Sequence, residues 1–139
     1  MSKFKIIKSK MRSRPLLVKA LEGLGYVVED HDEPVALRGF LGDVRKDKAH
    51  VIVRKNQISA SANDLGFFQN EDGSISAIVS DWDSQRVEMG RGSYIVEQLT
   101  QAYAAEELKV KARNQGLTLE TSTNDQGVLI FQYVGIRSY

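Results

Sequence analysis

Cysteine is absent from this chain, and proline and histidine occur only twice each. The missing thiols exclude disulfides, cysteine nucleophiles and cysteine-ligated zinc or iron–sulfur sites. The two histidines, His31 and His50, have no HxH or HxxxH partner, so no two-histidine metal site is expected and no cofactor is indicated. No apolar run approaches the ~20 residues of a membrane-spanning helix. The start, Met1-Ser2-Lys3-Phe4-Lys5, lacks the apolar core of a secretory signal. A cytosolic or organelle-matrix protein is the expectation. An excess of one charge is missing too: the formal net charge is +1, which does not mark a nucleic-acid binder.

What remains is an ordinary globular composition, 42% hydrophobic and 27% charged over 139 residues. That length suits one α+β domain, 1–139, burying roughly two-thirds of its unfolded surface. The organising stretch is Asp64–Asp83. Two apolar runs, Leu65–Phe68 and Ile75–Val79, flank Asn70-Glu71-Asp72-Gly73. Asn and Asp bond their own backbone in turns and Gly accepts positive φ, so the stretch reads as a β-hairpin. Trp82, near the end of this stretch, is expected in the core.

Earlier in the chain, Phe4 to Lys10 alternates as a first strand. Ser13 and Pro15 open a helix whose stripe is Leu17, Ala20, Leu21 and Leu24, with Gly25 closing it. A strand from Tyr26 closes at His31–Pro34, and Val35–Leu41 resumes in extended form with a bend at Gly39 or Gly42. The alternating charges of Asp43–Lys48 suggest a turn, and Ala49–Arg54 has the β-branched density of a central strand. Ser84–Gly92 reads as a loop. The longest helix, roughly Tyr94 to Gln115, has Ser93 as its cap and Ile95, Val96, Leu99, Ala102, Tyr103 and Val110 on one side. Two final strands, 117–121 and 128–134, turn at Asn124–Gly127. The expected architecture is a largely antiparallel sheet of six or seven strands with two helices on one face. The element order also echoes weakly as two β-α-β-β halves.

Charge is unevenly placed. Lys3, Lys5, Lys8, Lys10, Arg12 and Arg14 crowd the first fourteen residues with no acid among them, so the rest of the chain is net acidic. In extended form Lys8, Lys10, Arg12 and Arg14 would share a face. That face reads either as a lysine-protected strand edge or as a docking surface for an anionic partner. Gly90, Arg91, Gly92 and Ser93, at a helix start, form a candidate anion site, although no P-loop lysine follows. Asp81 and Asp83 flank Trp82 and could act as paired carboxylates, against the plainer reading of a solvated strand end. Glu106 falls inside the apolar stripe of the second helix, where a carboxylate needs either a partner or a path to water; the plainer expectation is that it reaches water.

Several segments are familiar together: Ser2-Lys3-Phe4 with Ile7-Lys8, Ala20 to Tyr26, Asp64-Leu65-Gly66-Phe67 followed by Asp72-Gly73 and Asp81-Trp82, and Gln98 to Ala104. They resemble the hypothetical chloroplast reading frame thirty-five family, nearly from end to end. The chain departs from that pattern at Asp83 and at Ala105-Glu106, where relatives carry aromatics or histidine. The resemblance implies a photosynthetic-lineage accessory protein in a cyanobacterial cytosol or plastid stroma. It supplies no activity, and it implies an acidic ferredoxin-like protein as a conceivable partner.

The expected function is therefore a non-catalytic interaction or assembly module that docks an acidic protein through the basic N-terminal face. Two alternatives stand beside it. A single-stranded nucleic-acid-binding module would stack bases on Phe67, Phe68 and Tyr133. A small-ligand enzyme would need Asp81, Asp83 or Glu106 to converge.

Overall fold

A computed structural model describes residues 3–59, 61–81 and 92–135. The strands are β1 (Phe4–Lys8), β2 (Glu29–Arg38), β3 (Val44–Val53), β4 (Leu65–Gln69), β5 (Ile75–Ser80), β6 (Leu117–Thr123) and β7 (Leu129–Gly135), and the helices are α1 (Arg14–Gly23) and α2 (Gly92–Asn114). The fold is α+β, as expected. The strands divide between an antiparallel five-stranded sheet, ordered β1-β5-β4-β3-β2, and a separate β6-β7 hairpin. The final hairpin of the second half thus leaves the main sheet, and the echo of element order does not extend to strand pairing.

Ser13 caps α1 by accepting the Leu16 N–H, and Pro15 occupies the first turn, where its missing N–H leaves no bond unmade. Leu17, Ala20 and Leu21 from α1 and Leu99 and Tyr103 from α2 pack with Val51, Val53, Leu65, Phe67, Ile75, Ala77 and Val79. Both helices therefore lie on one face of the sheet. The central hairpin closes as expected at Gly73, whose φ is +90° and whose N–H reaches the Asn70 carbonyl at 2.9 Å.

The opposite face is covered by the chain itself. The β2–β3 pairing shifts register between Asp30 and Val35, and again between Ala36 and Arg38. The outer half of this hairpin packs Leu37 and Ala49 with Ile52 and Ile78, next to Phe4, Val35 and Phe68. Two expectations are corrected here. His31–Pro34 does not end a strand but lies at a bulge within β2, and 44–48 is the first half of β3, with the turn displaced to Gly39–Asp43. Charge alternation concealed the strand because Arg45 and Asp47, rather than apolar residues, occupy its half-covered positions; the Arg45 guanidinium stands 5.3 Å from the centre of the Phe4 ring. Ser93 lies one residue inside α2 instead of capping it.

Candidate functional site

β1 is an edge strand, paired only with β5, from Phe4↔Ser80 to Lys8↔Ser76. Lys3, Lys5, Lys8 and Lys10 are exposed along it and just beyond, and none of the ion pairs among the described residues involves them. The two arginines behave differently. Arg12 donates to the Asp72 carbonyl across the central turn. Arg14 binds the Asp30 carboxylate at 2.9 Å and the His31 carbonyl at 3.2 Å, tying the start of α1 to β2. The strand ends at Lys8, so the alternation does not carry all four cations onto one face; the lysines form the free part of the basic edge.

Behind that edge lies a cavity of about 320 Å³ between the β1 segment and α2. Ile7, Met11 and Ala77 form its apolar floor, and Lys8, Lys10 and Glu107 contribute charge at its margin. The walls are held by specific bonds. The Met11 carbonyl accepts from the Ile75 N–H at 2.9 Å, and Ser9 Oγ donates to the Ile75 carbonyl. The Tyr103 hydroxyl accepts from the N–H groups of Arg12 (3.1 Å) and Ser13 (3.0 Å), so α2 fixes the path of the basic segment into α1. An apolar floor bordered by ammonium groups suits an apolar side chain flanked by carboxylates.

The strongest electrostatic cluster lies elsewhere. Arg54 makes two bonds to Glu29, at 2.7 and 2.9 Å, and one to Asp64 at 2.8 Å. The Asp64 side chain is only 1% exposed and also accepts from the N–H groups of Arg38 (2.7 Å) and Lys55 (2.8 Å). Arg54, with a smaller contribution from His31, outweighs burial and holds the Glu29 carboxyl down at about 2. Next to it in sequence, buried Asn63 accepts from the Phe40 N–H at 3.0 Å and donates to Ser80 Oγ at 3.0 Å. Every charge here has a protein partner, so the cluster locks β2, β3 and β4 together.

Of the candidate carboxylates, Asp81 and Glu106 lie among the described residues, on different elements. Asp81 follows β5, and its N–H donates to the Lys3 carbonyl at 2.7 Å. Glu106 does not reach water as expected: its side chain is 12% exposed and held between Lys19 (3.6 Å) and Lys109 (3.3 Å), bridging the helices. Trp82, Asp83, Gly90 and Arg91 lie outside the described residues. Of the candidate anion site only Gly92 and Ser93 are described, as the opening of α2. The proposed stacking face is interrupted, because Phe67 is fully buried on the helix side and Phe68 packs on His50, ring centres 4.7 Å apart. No group of three or more metal-ligating side chains occurs among the described residues.

A family model described as "Protein of unknown function (DUF1257)" matches residues 20–129. The chain belongs to the DUF1257 family. Neither the curated proteins nor the solved structures return a match. The stretch shared with the DUF1257 model takes in Glu29, Arg54, Asn63, Asp64 and Gly66, whereas the basic segment from Lys3 to Arg14 precedes it. The DUF1257 match thus covers the fold-locking network, and the cationic edge lies outside the matched residues. Sequence reading missed the network because Glu29, Arg54 and Asp64 are far apart in the chain; the one local signal was a polar Asn-Asp pair directly before an apolar run.

Proposed function

We propose that this DUF1257 protein is a non-catalytic docking module that captures an acidic protein segment at the β1 edge. The observation that carries the reading is the row of exposed lysines on this edge, outside the described ion pairs, of which Lys8 and Lys10 border a cavity with an apolar floor. An extended acidic segment would align with the free strand edge, place carboxylates near Lys8 and Lys10, and seat one apolar side chain between Ile7 and Met11. The narrower kinship with the chloroplast reading frame thirty-five family rests on the motifs quoted above. The photosynthetic-lineage setting and an acidic redox protein as partner belong to that kinship.

The test is association kinetics on an immobilised peptide in which one leucine is flanked by glutamates. Lys5→Glu, Lys8→Glu and Lys10→Glu together should slow capture at least tenfold at low ionic strength. The difference should shrink as salt passes ~0.15 M, where charges more than about 8 Å apart are screened. The melting temperature should change little, since exposed charges rarely contribute more than about 0.5 kcal/mol each. Equal capture by variant and wild type at every salt concentration would leave these lysines as solubilising surface.

A further inference from the structure

The tip of the β2–β3 hairpin shares only Lys3 with the docking edge, whose cavity lies at the Ile7–Met11 end of that segment. Phe40, Leu41 and Val44 are 44%, 77% and 66% exposed within five residues of chain. Isolated apolar residues on a surface are ordinary, but three grouped on one turn form a patch that the fold does not require. The turn is nonetheless rigidly held. The Gly39 N–H donates to the Asp43 carbonyl and the Gly42 N–H to the Gly39 carbonyl, each at 2.9 Å. Buried Asn63 reaches up to accept the Phe40 N–H. A fully buried side chain thus fixes the backbone of a residue whose ring is turned toward solvent.

The surroundings of this tip are cationic. Lys3, Arg38 and Lys46 are exposed about it. A cavity of about 490 Å³ lies beside it, lined by Lys3, Phe4 and the segment from Asp43 to Asp47, which contributes Arg45 and Lys46. Of the two acids there, Asp43 is engaged by Arg45 at 3.5 Å, and Asp47 is half-buried. Apolar side chains at the apex of a turn, with cations set behind them, match the layering of an anionic bilayer: hydrocarbon beneath, phosphate and carboxylate headgroups above. Among the described residues no helix is long and apolar enough to cross a membrane, so such an association would be peripheral.

We propose that the Phe40-Leu41 turn is a membrane-contact tip, inserting Phe40, Leu41 and Val44 at the headgroup boundary of an anionic bilayer while Lys3, Arg38 and Lys46 engage the headgroups. The occupant is a lipid surface because the apolar residues sit on a projecting turn backed by cations. A second copy of this chain would bring the same positive charge against itself.

The test is sedimentation of the full chain with vesicles of phosphatidylcholine containing phosphatidylserine, compared with phosphatidylcholine alone. Wild type should partition at least tenfold more strongly to the anionic vesicles. Leu41→Ser, at the most exposed position and without change of charge, should reduce that partition several-fold, and Phe40→Ser with Leu41→Ser should abolish it. Lys46→Glu should weaken it at low salt and have little effect at high salt. Capture of the acidic peptide should be unchanged in the tip variants, which separates this site from the docking edge. Failure of wild type to sediment with anionic vesicles would overturn the proposal. So would equal partition by wild type and the double serine variant, or a concentration-dependent dimer in size-exclusion chromatography that the serine variants dissolve without any vesicle binding.

Discussion

Replacing Gly66 by alanine tests how the second face of the sheet is closed. Gly66 lies mid-strand, paired with Ile52 on one side and Ile78 on the other. A β-carbon there would come within 2.7 Å of the Ala49 β-carbon and 2.9 Å of Leu37 Cδ2. Carbon atoms pack comfortably at about 3.5–4.0 Å, so the folded-over arm must retreat by about 1 Å. Its retreat is resisted, because Arg38 is anchored to Asp64 by its N–H at 2.7 Å and by its carbonyl at 3.0 Å. Overpacking of this kind costs about 1–3 kcal/mol. Opposing it, alanine is favoured over glycine inside a strand by roughly 0.5–1 kcal/mol through unfolded-state entropy. The clash wins, and the expected net loss is about 1–2 kcal/mol, read as a lower urea midpoint. Leu37→Ala alone should cost about 2–5 kcal/mol by opening a cavity. The two changes together should cost less than their sum, since the added methyl has room once Leu37 is shortened. A Gly66→Ala variant as stable as wild type, or a strictly additive pair, would refute the close approach of the arm.

Three further outcomes follow from the bonds described above. Tyr103→Phe removes the shared acceptor of the Arg12 and Ser13 N–H groups and should cost about 1–3 kcal/mol in denaturant unfolding; an unchanged midpoint would show that water replaces the hydroxyl. Arg54→Met leaves the buried Asp64 carboxylate without its cation and should destabilise by about 3–5 kcal/mol; adding Asp64→Asn should recover part of that loss, and no recovery would mean that the carboxylate is held by its N–H donors alone. Acidification should destabilise the protein in two windows. Burial, helped by Arg14, lowers the pKa of His50 below 6.5, so the unfolded chain binds its proton more readily and stability falls as pH drops below 6.5. Glu29 titrates at about 2 when folded against 4.5 as the reference, so its contribution is complete above 4.5 and is lost as pH falls toward 2. Urea midpoints between pH 7.5 and 2.5 check both: His50→Gln should flatten the upper limb and Glu29→Gln the lower one, and a midpoint that rises on acidification would contradict both assignments.

Much of this molecule is decided by short-range chemistry that a sequence displays directly. Ser13 and Pro15 start a helix, Gly73 permits a positive-φ turn, and the apolar spacing of Leu17, Ala20 and Leu21 selects the face that meets the sheet. These rules act within a few residues, so they survive without knowledge of the neighbours. The exposed lysines of the first strand were legible for the same reason, since charge is a property of the residue itself. What only the tertiary structure decided is which groups are brought together. Arg14 and Arg12 carry the same charge as the nearby lysines, but contacts with Asp30 and Asp72 draw them away from the docking edge. Glu106, an anomaly on a helical wheel, is answered by Lys19 from the other helix. Gly66 appears in the sequence as a weak point in a strand, whereas in the fold it is the place where a bent hairpin presses onto the sheet. Each outcome depends on residues more than a dozen positions apart, and only packing sets which of them become neighbours.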